Sequence, residues 1–573
     1  METDGTKHFE ASAVSGIFNA FYCSVASSLV DKLPPVFNLF GFDFCTNFYR
    51  RKGIFGPCFT LSPVSRAFIR SQLVSLKTDK STGLDGIPPR FLKDGADFLV
   101  EPIAHIVNFS ILSEAVPSGF KNARVKPLYK KGSRLEPGNY RPVSILTVLS
   151  KILERAVNDQ LNNFLSRRCL LYGFQSGFRK GYSTETCLVN LNDFIRTQTS
   201  KGKVTGMVLI DLQKAFDCVD HNLLLSKLSS MGVSSLDWFR SYLTDRYQCT
   251  QVSGVDSTFL KVNCGVPQGS ILGPTLFLCF INDMSAALSC KLSLYADDSA
   301  LVYSHSDPRV VSEFLSQELD TCRKWLIDNR LSLHLGKTEC ILFGPKRKLS
   351  TQTSSFNVQV NGVDVKRVTS VKYLGIILDQ CLDFSCHIHE LVKKANAKLK
   401  FLHRNGYLLN LHAKRLLCQA LIFSNLEYCA SAWFSSLSGN LREMLNVVQR
   451  KCARFSLGLG PRSHIGNSEF HCLSWLPFPR RIAFSNLVHT FKVRAGLCPA
   501  YMTANFNRVT DMHSYDLRQS KTNFSLARCE SPSGTFCRDA ISEWNTLPPE
   551  LKGIESLASF KVRLKRHLQI QSA

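Results

Sequence analysis

Residues 292–304 read LSLYADDSALVYS, two β-prone apolar runs with the adjacent carboxylates Asp297 and Asp298 between them. Such a pattern predicts a β-hairpin with both acids at its tip. Carboxylates paired at the mouth of an apolar hairpin raise each other's pKa unless a hard cation or a basic side chain compensates. All-oxygen sites of this kind suit Mg²⁺, which keeps some of its water and is completed by substrate phosphates. An Asp-Asp pair in a tight turn is more often solvated turn chemistry, so the reading depends on its surroundings.

Upstream, VTGMVLIDLQKAFD (204–217) is an apolar run that meets its first carboxylate, Asp211, where the strand pattern stops. Between the two segments lies CGVPQGSILGP (264–274), whose Pro-Gln-Gly turn allows close backbone approach before a helix begins. Periodicity predicts a strand over 204–210, helices over 218–231 and 236–247, a hairpin over 248–262 and a helix over 269–284. After the acidic hairpin, a helix carrying Val310, Phe314, Leu315, Cys322 and Trp325 leads to a strand over 338–343. That order is β-α-β-β-α-β, the split ferredoxin-like unit. It places the ends of its central strands side by side, so Asp211 and Asp297 can share metals. Neighbouring strand residues face opposite ways, so Asp298 is expected to be a secondary or orienting ligand.

At 573 residues the chain is expected to hold several domains. Seventy Lys and Arg against 45 Asp and Glu leave +25, which predicts a polyanionic partner, nucleic acid first. A membrane is not expected, because no apolar run is read as approaching the roughly 20 residues of a spanning helix. Phe18 to Val30 lacks a basic flank and is read as a helix, and no secretory signal is found, so nucleus and cytoplasm are the expected compartments. The 21 cysteines are then reduced thiols used as small hydrophobes. Cys381, Cys386, His387 and His389 are dense enough to consider for zinc, but their spacing matches no common finger.

The ordered set of motifs resembles the reverse transcriptases, specifically those of non-LTR (LINE-like, jockey-type) retrotransposons, from about Phe18 to the C-terminus. The resemblance implies an α+β right-hand polymerase: fingers, a palm built on the split sheet, a helical thumb and a small, mainly helical C-terminal unit. It divides the chain into a joint (1–65, read as irregular), fingers and palm (66–345), primer grip and thumb (346–459) and a C-terminal domain (460–573). It implies RNA-directed DNA polymerisation as part of retrotransposition, with an RNA template, a DNA primer or target, dNTPs and two Mg²⁺ ions, Mn²⁺ being a possible substitute. Asp211 and Asp297 would be the principal metal pair, with Asp298 and the carbonyl of Leu212 as further ligands.

By the same resemblance Phe216 lies beneath the deoxyribose, Gln268 touches the nucleotide sugar or template base, Gly269 lets the backbone come close, and Ala296 fills a small slot at the primer terminus. Arg141 in NYRP and Lys131 in the preceding basic loop would hold the triphosphate, where arginine grips phosphate bidentately. Lys337 in LGKTE would protonate pyrophosphate. The glycines and Arg179 of GFQSGFRKGYSTE (173–185) match a motif along the template, and VKYLGIIL (371–378) matches the primer-gripping hairpin. Basic helices carrying Lys393, Lys394, Lys398, Lys400 and Arg404 would follow a phosphate backbone. Residues before Pro63 are too few for an endonuclease, so that activity is expected to come from elsewhere. Two other readings compete: a catalytically idle, retrotransposon-derived nucleic-acid-binding protein, and an RNA-dependent RNA polymerase, which Phe216 disfavours.

Overall fold

The structure, a computed structural model, describes residues 1–3, 6–352, 355–504, 506–509, 522–526 and 531–570. Parts of the expected 460–573 domain therefore lie outside the described residues. The chain divides into two compact units: the first comprises 1–172, 211–289 and 318–335, the second 173–210, 290–317 and 336 to the C-terminus.

The first unit contains a mixed sheet in the order Tyr140–Ile145, Asn122–Tyr129, Arg246–Val252, Val255–Asp256, with Leu260–Val262 also paired to Arg246–Val252. The first two strands are antiparallel, and Asn122 to Val125 run parallel to Tyr247 to Thr250. The expected 248–262 hairpin therefore forms within this sheet. The N-terminal stretch, expected to be irregular, folds into helices Ala11–Val30 and Phe42–Arg50. In the first of these Ser15, Phe18, Asn19, Tyr22 and Ala26 are buried, an i, i+3, i+4 stripe obscured in the sequence by the polar Ser15 and Asn19 within it. Asn19 anchors it, donating to the carbonyls of Gln248 (3.2 Å) and Thr258 (2.8 Å). The segment between the helices is pinned by Asp328, whose carboxylate accepts from the backbone N–H groups of Phe37 to Phe40.

Ala11–Val30 also corrects the reading of hydropathy. It is 20 residues long with a mean hydropathy of 1.4, enough by length and composition to cross a membrane. Deeper in this unit Lys227 and Asp283 form a buried ion pair at 2.6 Å, with the ammonium also bonded to the carbonyl of Phe280 (2.7 Å) and 4.6 Å from the centroid of Trp325. Removing one partner of such a pair costs about 3–5 kcal/mol, because the other charge is left buried.

The second unit is built on a five-stranded sheet in the order Lys366–Arg367, Glu339–Phe343, Val204–Ile210, Asp298–His305, Lys291–Tyr295. Leaving aside the parallel edge strand Lys366–Arg367, the four remaining strands are antiparallel neighbours, and their spatial order is that of the split unit expected from the sequence. Val204–Ile210 is central and almost entirely buried, which explains its unbroken apolar run. Helix Thr184–Ser200, capped reciprocally by Ser183 and Thr186, buries Leu188, Val189, Leu191 and Ile195 in the core of this unit. Phe314, near the start of helix Pro308–Asp328, stacks on Tyr303 at 3.9 Å.

Beyond the sheet, Ser370–Tyr373 and Ile376–Asp379 pair as a hairpin with Val371 opposite Leu378. Helices Ser385–Asn405 and Gly439–Leu457 follow. The apolar core runs without a break across the boundary expected near 460, from Leu188 through Leu399, Trp433 and Trp475 to Trp544 and Leu568. Trp433, Trp475 and Trp544 belong to that one core, so the described residues after 460 share it with those before. Among the described residues every cysteine is a free thiol, and most are buried. His387 is buried edge-on against Trp433, and that burial pushes its pKa down to about 4. It is a neutral core histidine.

Candidate functional site

In the second unit, Tyr295 and Asp298 are the closing pair of the acidic hairpin, and Ala296 and Asp297 form its two-residue turn. A two-residue hairpin turn requires positive φ, and Ala296 adopts it at φ 57°. Its N–H donates to Oε1 of buried Gln175 at 3.0 Å, and the same oxygen accepts from the N–H of Gly177 at 2.9 Å. The Gln175 segment is itself laced to the hairpin edge, Ser176 N–H to Leu294 O at 2.8 Å and Leu294 N–H to Phe174 O at 3.2 Å. Gly177 is required there, because a Cβ would stand 2.5 Å from the Ala296 nitrogen. The turn leaves Asp297 half-buried and Asp298 exposed. They differ in exposure because one is in the turn and the other opens the strand. The ladder of this sheet ends at the pair Ser299 and Ile210, and Asp211 is the residue that follows Ile210.

In the first unit, Asp211 accepts from the His334 N–H through its main-chain carbonyl (2.9 Å), Leu212 bridges to Leu333, and the Gln213 N–H donates to Ser332 O (3.0 Å). The chain then turns at Lys214 (φ 47°) and presents Phe216, whose ring stacks on Phe277 at 4.2 Å and 20°. Two backbone bonds lace this turn to the Pro-Gln-Gly loop, Gly265 N–H to Val219 O (2.8 Å) and Val266 N–H to Phe216 O (2.9 Å). Gln268 donates through Nε2 to the Asp217 carboxylate at 2.8 Å. Burial raises the pKa of Asp217, while the Gln268 bond and the charge of Lys214 oppose the rise. The next residue, Gly269, has φ 127°, and a Cβ on it would lie 2.4 Å from Ser144 O. Ser144 N–H in turn donates to Gln268 O at 2.7 Å. Gly269 thus packs closely on strand Tyr140–Ile145.

Arg141 is exposed on that strand, and Lys131 is exposed in the preceding turn. Lys337 is exposed on the short 3₁₀ turn Leu335–Lys337. Among the described residues no group of three or more His, Cys, Asp or Glu side chains suited to holding a metal ion is found.

Three residues that position the motifs escaped the sequence reading. Gln175 holds the Ala296 turn, and Asp217 holds Gln268. Glu154, buried in helix Val148–Arg167, accepts from the N–H groups of Ile271 (2.6 Å) and Leu272 (3.2 Å) at the entrance to helix Gly273–Ile281. Its burial raises its pKa, and Arg246 opposes the rise. The flanking motifs GFQSGF and AFD pointed to the first two, and nothing local to Glu154 pointed to it.

Residues 128–378 match the family described as reverse transcriptase (RNA-dependent DNA polymerase). The chain is 29% identical over 411 residues to a probable RNA-directed DNA polymerase from transposon BS of Drosophila melanogaster, covering 69% of this chain and 44% of that protein. It is 26% identical over 405 residues to the RNA-directed DNA polymerase from mobile element jockey of Drosophila funebris, covering 68% and 44%. To the retrovirus-related Pol polyprotein from type-1 retrotransposable element R1 of Bradysia coprophila it is 27% identical over 392 residues, covering 67% and 38%. The chain thus spans under half the length of these curated relatives. Over residues 128–378 the chain is thus similar to the reverse transcriptase domains of LINE-like, non-LTR retrotransposons.

Proposed function

We propose that the chain extends a primer 3′-hydroxyl on an RNA template with deoxynucleotides, using Asp211, Asp297 and Asp298 to hold Mg²⁺. The observation that carries this reading is the sheet register. Ile210 and Ser299 pair at the end of the ladder, with Asp211 following the first and Asp297 and Asp298 preceding the second. The donors are all oxygen, as Mg²⁺ requires, and a cation that keeps water and takes substrate phosphates needs no complete protein cage. Asp211 and Asp297 are the principal ligands, with Asp298 and the Leu212 carbonyl secondary. When bound, the two ions activate the primer hydroxyl and stabilise the departing pyrophosphate.

The chain's own residues do the rest. Phe216, fixed by its stack on Phe277, occupies the space a ribose 2′-hydroxyl would need. Gln268 meets the nucleotide sugar, Ala296 lies at the primer terminus, and exposed Arg141 and Lys131 attract the triphosphate. Lys337 is placed as proton donor to pyrophosphate. On this reading residues 66–345 are fingers and palm, 371–378 the primer grip, and helix Ser385–Asn405 part of a thumb. That helix buries Ile388, Ala395, Leu399 and Leu402 while Lys393, Lys394, Lys400 and Arg404 remain exposed, a basic face suited to a phosphate backbone.

The test is primer extension on a homopolymer RNA template with matched dNTP or rNTP and Mg²⁺, for wild type and Phe216→Ala. Wild type is expected to use dNTP and reject rNTP, and the variant to lose about 1–3 kcal/mol of that discrimination. Binding of RNA without extension would support the idle-binder reading instead. Equal discrimination by both proteins would reduce Phe216 to core packing.

A further inference from the structure

Lys291 opens the strand that leads into the acidic hairpin, and it is half-buried. Its Nζ lies 4.2 Å from the ring centroid of Phe174 and 4.6 Å from that of Phe194. Tyr501 backs the first ring, stacked on it at 5.5 Å and 9°. Lysines are seldom buried without a partner, yet among the described residues no carboxylate pairs with this one. Aromatic faces attract a cation but cannot replace a carboxylate. Burial therefore prevails and pushes the amine down to about 8, with the Cys187 side chain opposing.

The same lysine lines a cavity of about 280 Å³ together with Phe174, Phe194 and Tyr501. Asn190, Thr197 and Gln198, all on helix Thr184–Ser200, also line it and supply amide and hydroxyl groups. The other ionisable side chains on its wall are Asp193, Lys201, Tyr501 and Cys537. The Asp193 carboxylate is engaged by the N–H groups of Phe536 (3.1 Å) and Cys537 (2.9 Å), and Lys201 is exposed. Burial raises the pKa of Tyr501, so it stands there as a neutral phenol. Lys291 is thus a desolvated amine with open space before it, the setting in which a lysine acts as a nucleophile.

We propose that Lys291 is an acylation site, taking short acyl groups such as acetyl from thioesters that enter this cavity. The neutral Nζ attacks the thioester carbonyl. The C–N bond forms as the C–S bond breaks, the thiolate leaves, and the proton shed by nitrogen passes to solvent, with no change of oxidation state. The product is an uncharged amide, and the cavity wall supplies donors for its carbonyl at Asn190, Thr197 and Gln198. Lys291 has no part in the polymerase reading, so the site does not depend on it.

The experiment incubates the full chain with the small thioester S-acetyl-N-acetylcysteamine at about pH 8. Acetylation of each lysine is followed by peptide mass spectrometry, with exposed Lys393 and Lys400 as internal references. The neutral fraction of Lys291 then exceeds that of an ordinary lysine, at about 10.4, on the order of 100-fold. Its weaker basicity takes part of this back, leaving an expected rate advantage on the order of 10-fold. The pH profile gives a second readout: the rate at Lys291 should level off above about pH 9, while the references keep rising to about pH 10. Asn190→Trp, which fills the cavity, should slow Lys291 on the order of 10-fold and leave the reference lysines unchanged. Thr197→Phe serves the same purpose should Asn190→Trp not fold. Lys291 reacting no faster than Lys393 and Lys400, a pH profile that follows theirs, or an unchanged rate in the filled cavity would each overturn the proposal.

Discussion

The turn at Ala296 and the turn at Gly269 each place a residue at positive φ beside a side chain with a proposed chemical role, and they are held by different means. At Ala296 the left-handed residue carries a methyl group, and the latch is a side chain, Gln175 Oε1, which accepts from Ala296 and Gly177. The glycine has been moved to the partner segment, where Gly177 makes room. At Gly269 the glycine is in the turn itself, and the latch is main chain, Ser144 N–H to Gln268 O. A side-chain latch depends on one residue type, whereas a main-chain latch tolerates substitution wherever the strand persists. The two turns should therefore respond differently to mutation even though both look like glycine-rich punctuation in the sequence.

Between the two turns, the largest effect is expected from Gly177→Ala. Its Cβ would meet the Ala296 nitrogen at 2.5 Å, backbone against backbone with no flexible side chain to yield, so the turn carrying Asp297 must shift. A displacement of about 1 Å at a catalytic group costs on the order of 100-fold, to be read in the rate of primer extension. Gly269→Ala puts a Cβ 2.4 Å from Ser144 O at a strained φ. Overpacking of this kind costs about 1–3 kcal/mol, to be read as a lower unfolding temperature, and a variant as stable as wild type would show that the turn relaxes.

A loss of similar size, about 1–3 kcal/mol, is expected for Gln175→Leu, which strands the buried N–H donors of Ala296 and Gly177. Ser144→Ala should change stability less than Gln175→Leu does, because the Ser144 contribution to the latch is main chain. Equal sensitivity at Gln175 and Ser144 would erase the distinction between the two latches.

What could be read from the sequence follows from how local each signal is. The acidic hairpin was legible because alternation and the Asp-Asp pair lie within thirteen consecutive residues, 292–304, and the ladder pairs it as expected. The four-strand order was legible because each element has its own period. The partner of strand Arg246–Val252 was not, since a parallel pairing with Asn122 to Val125 leaves no mark in either segment. Helix Ala11–Val30 was only half seen, because its buried stripe is interrupted by polar Ser15 and Asn19, which are buried through hydrogen bonds. Gln175, Asp217 and Glu154 act on Ala296, Gln268 and Ile271, each distant in the chain, and a single carboxamide or carboxylate gives no hint of which groups it will serve.

The central claim is that the acids at the ends of the sheet carry the chemistry, and the measurement that tests it most directly is single-turnover incorporation of one deoxynucleotide on an RNA template. Wild type and Asp297→Asn are compared at saturating Mg²⁺, with RNA affinity measured on the same preparations. Loss of a metal ligand should remove several kcal/mol of transition-state stabilisation, a fall on the order of 10³-fold or more, while RNA affinity stays unchanged. A variant that binds RNA normally and extends the primer at the wild-type rate would contradict the account.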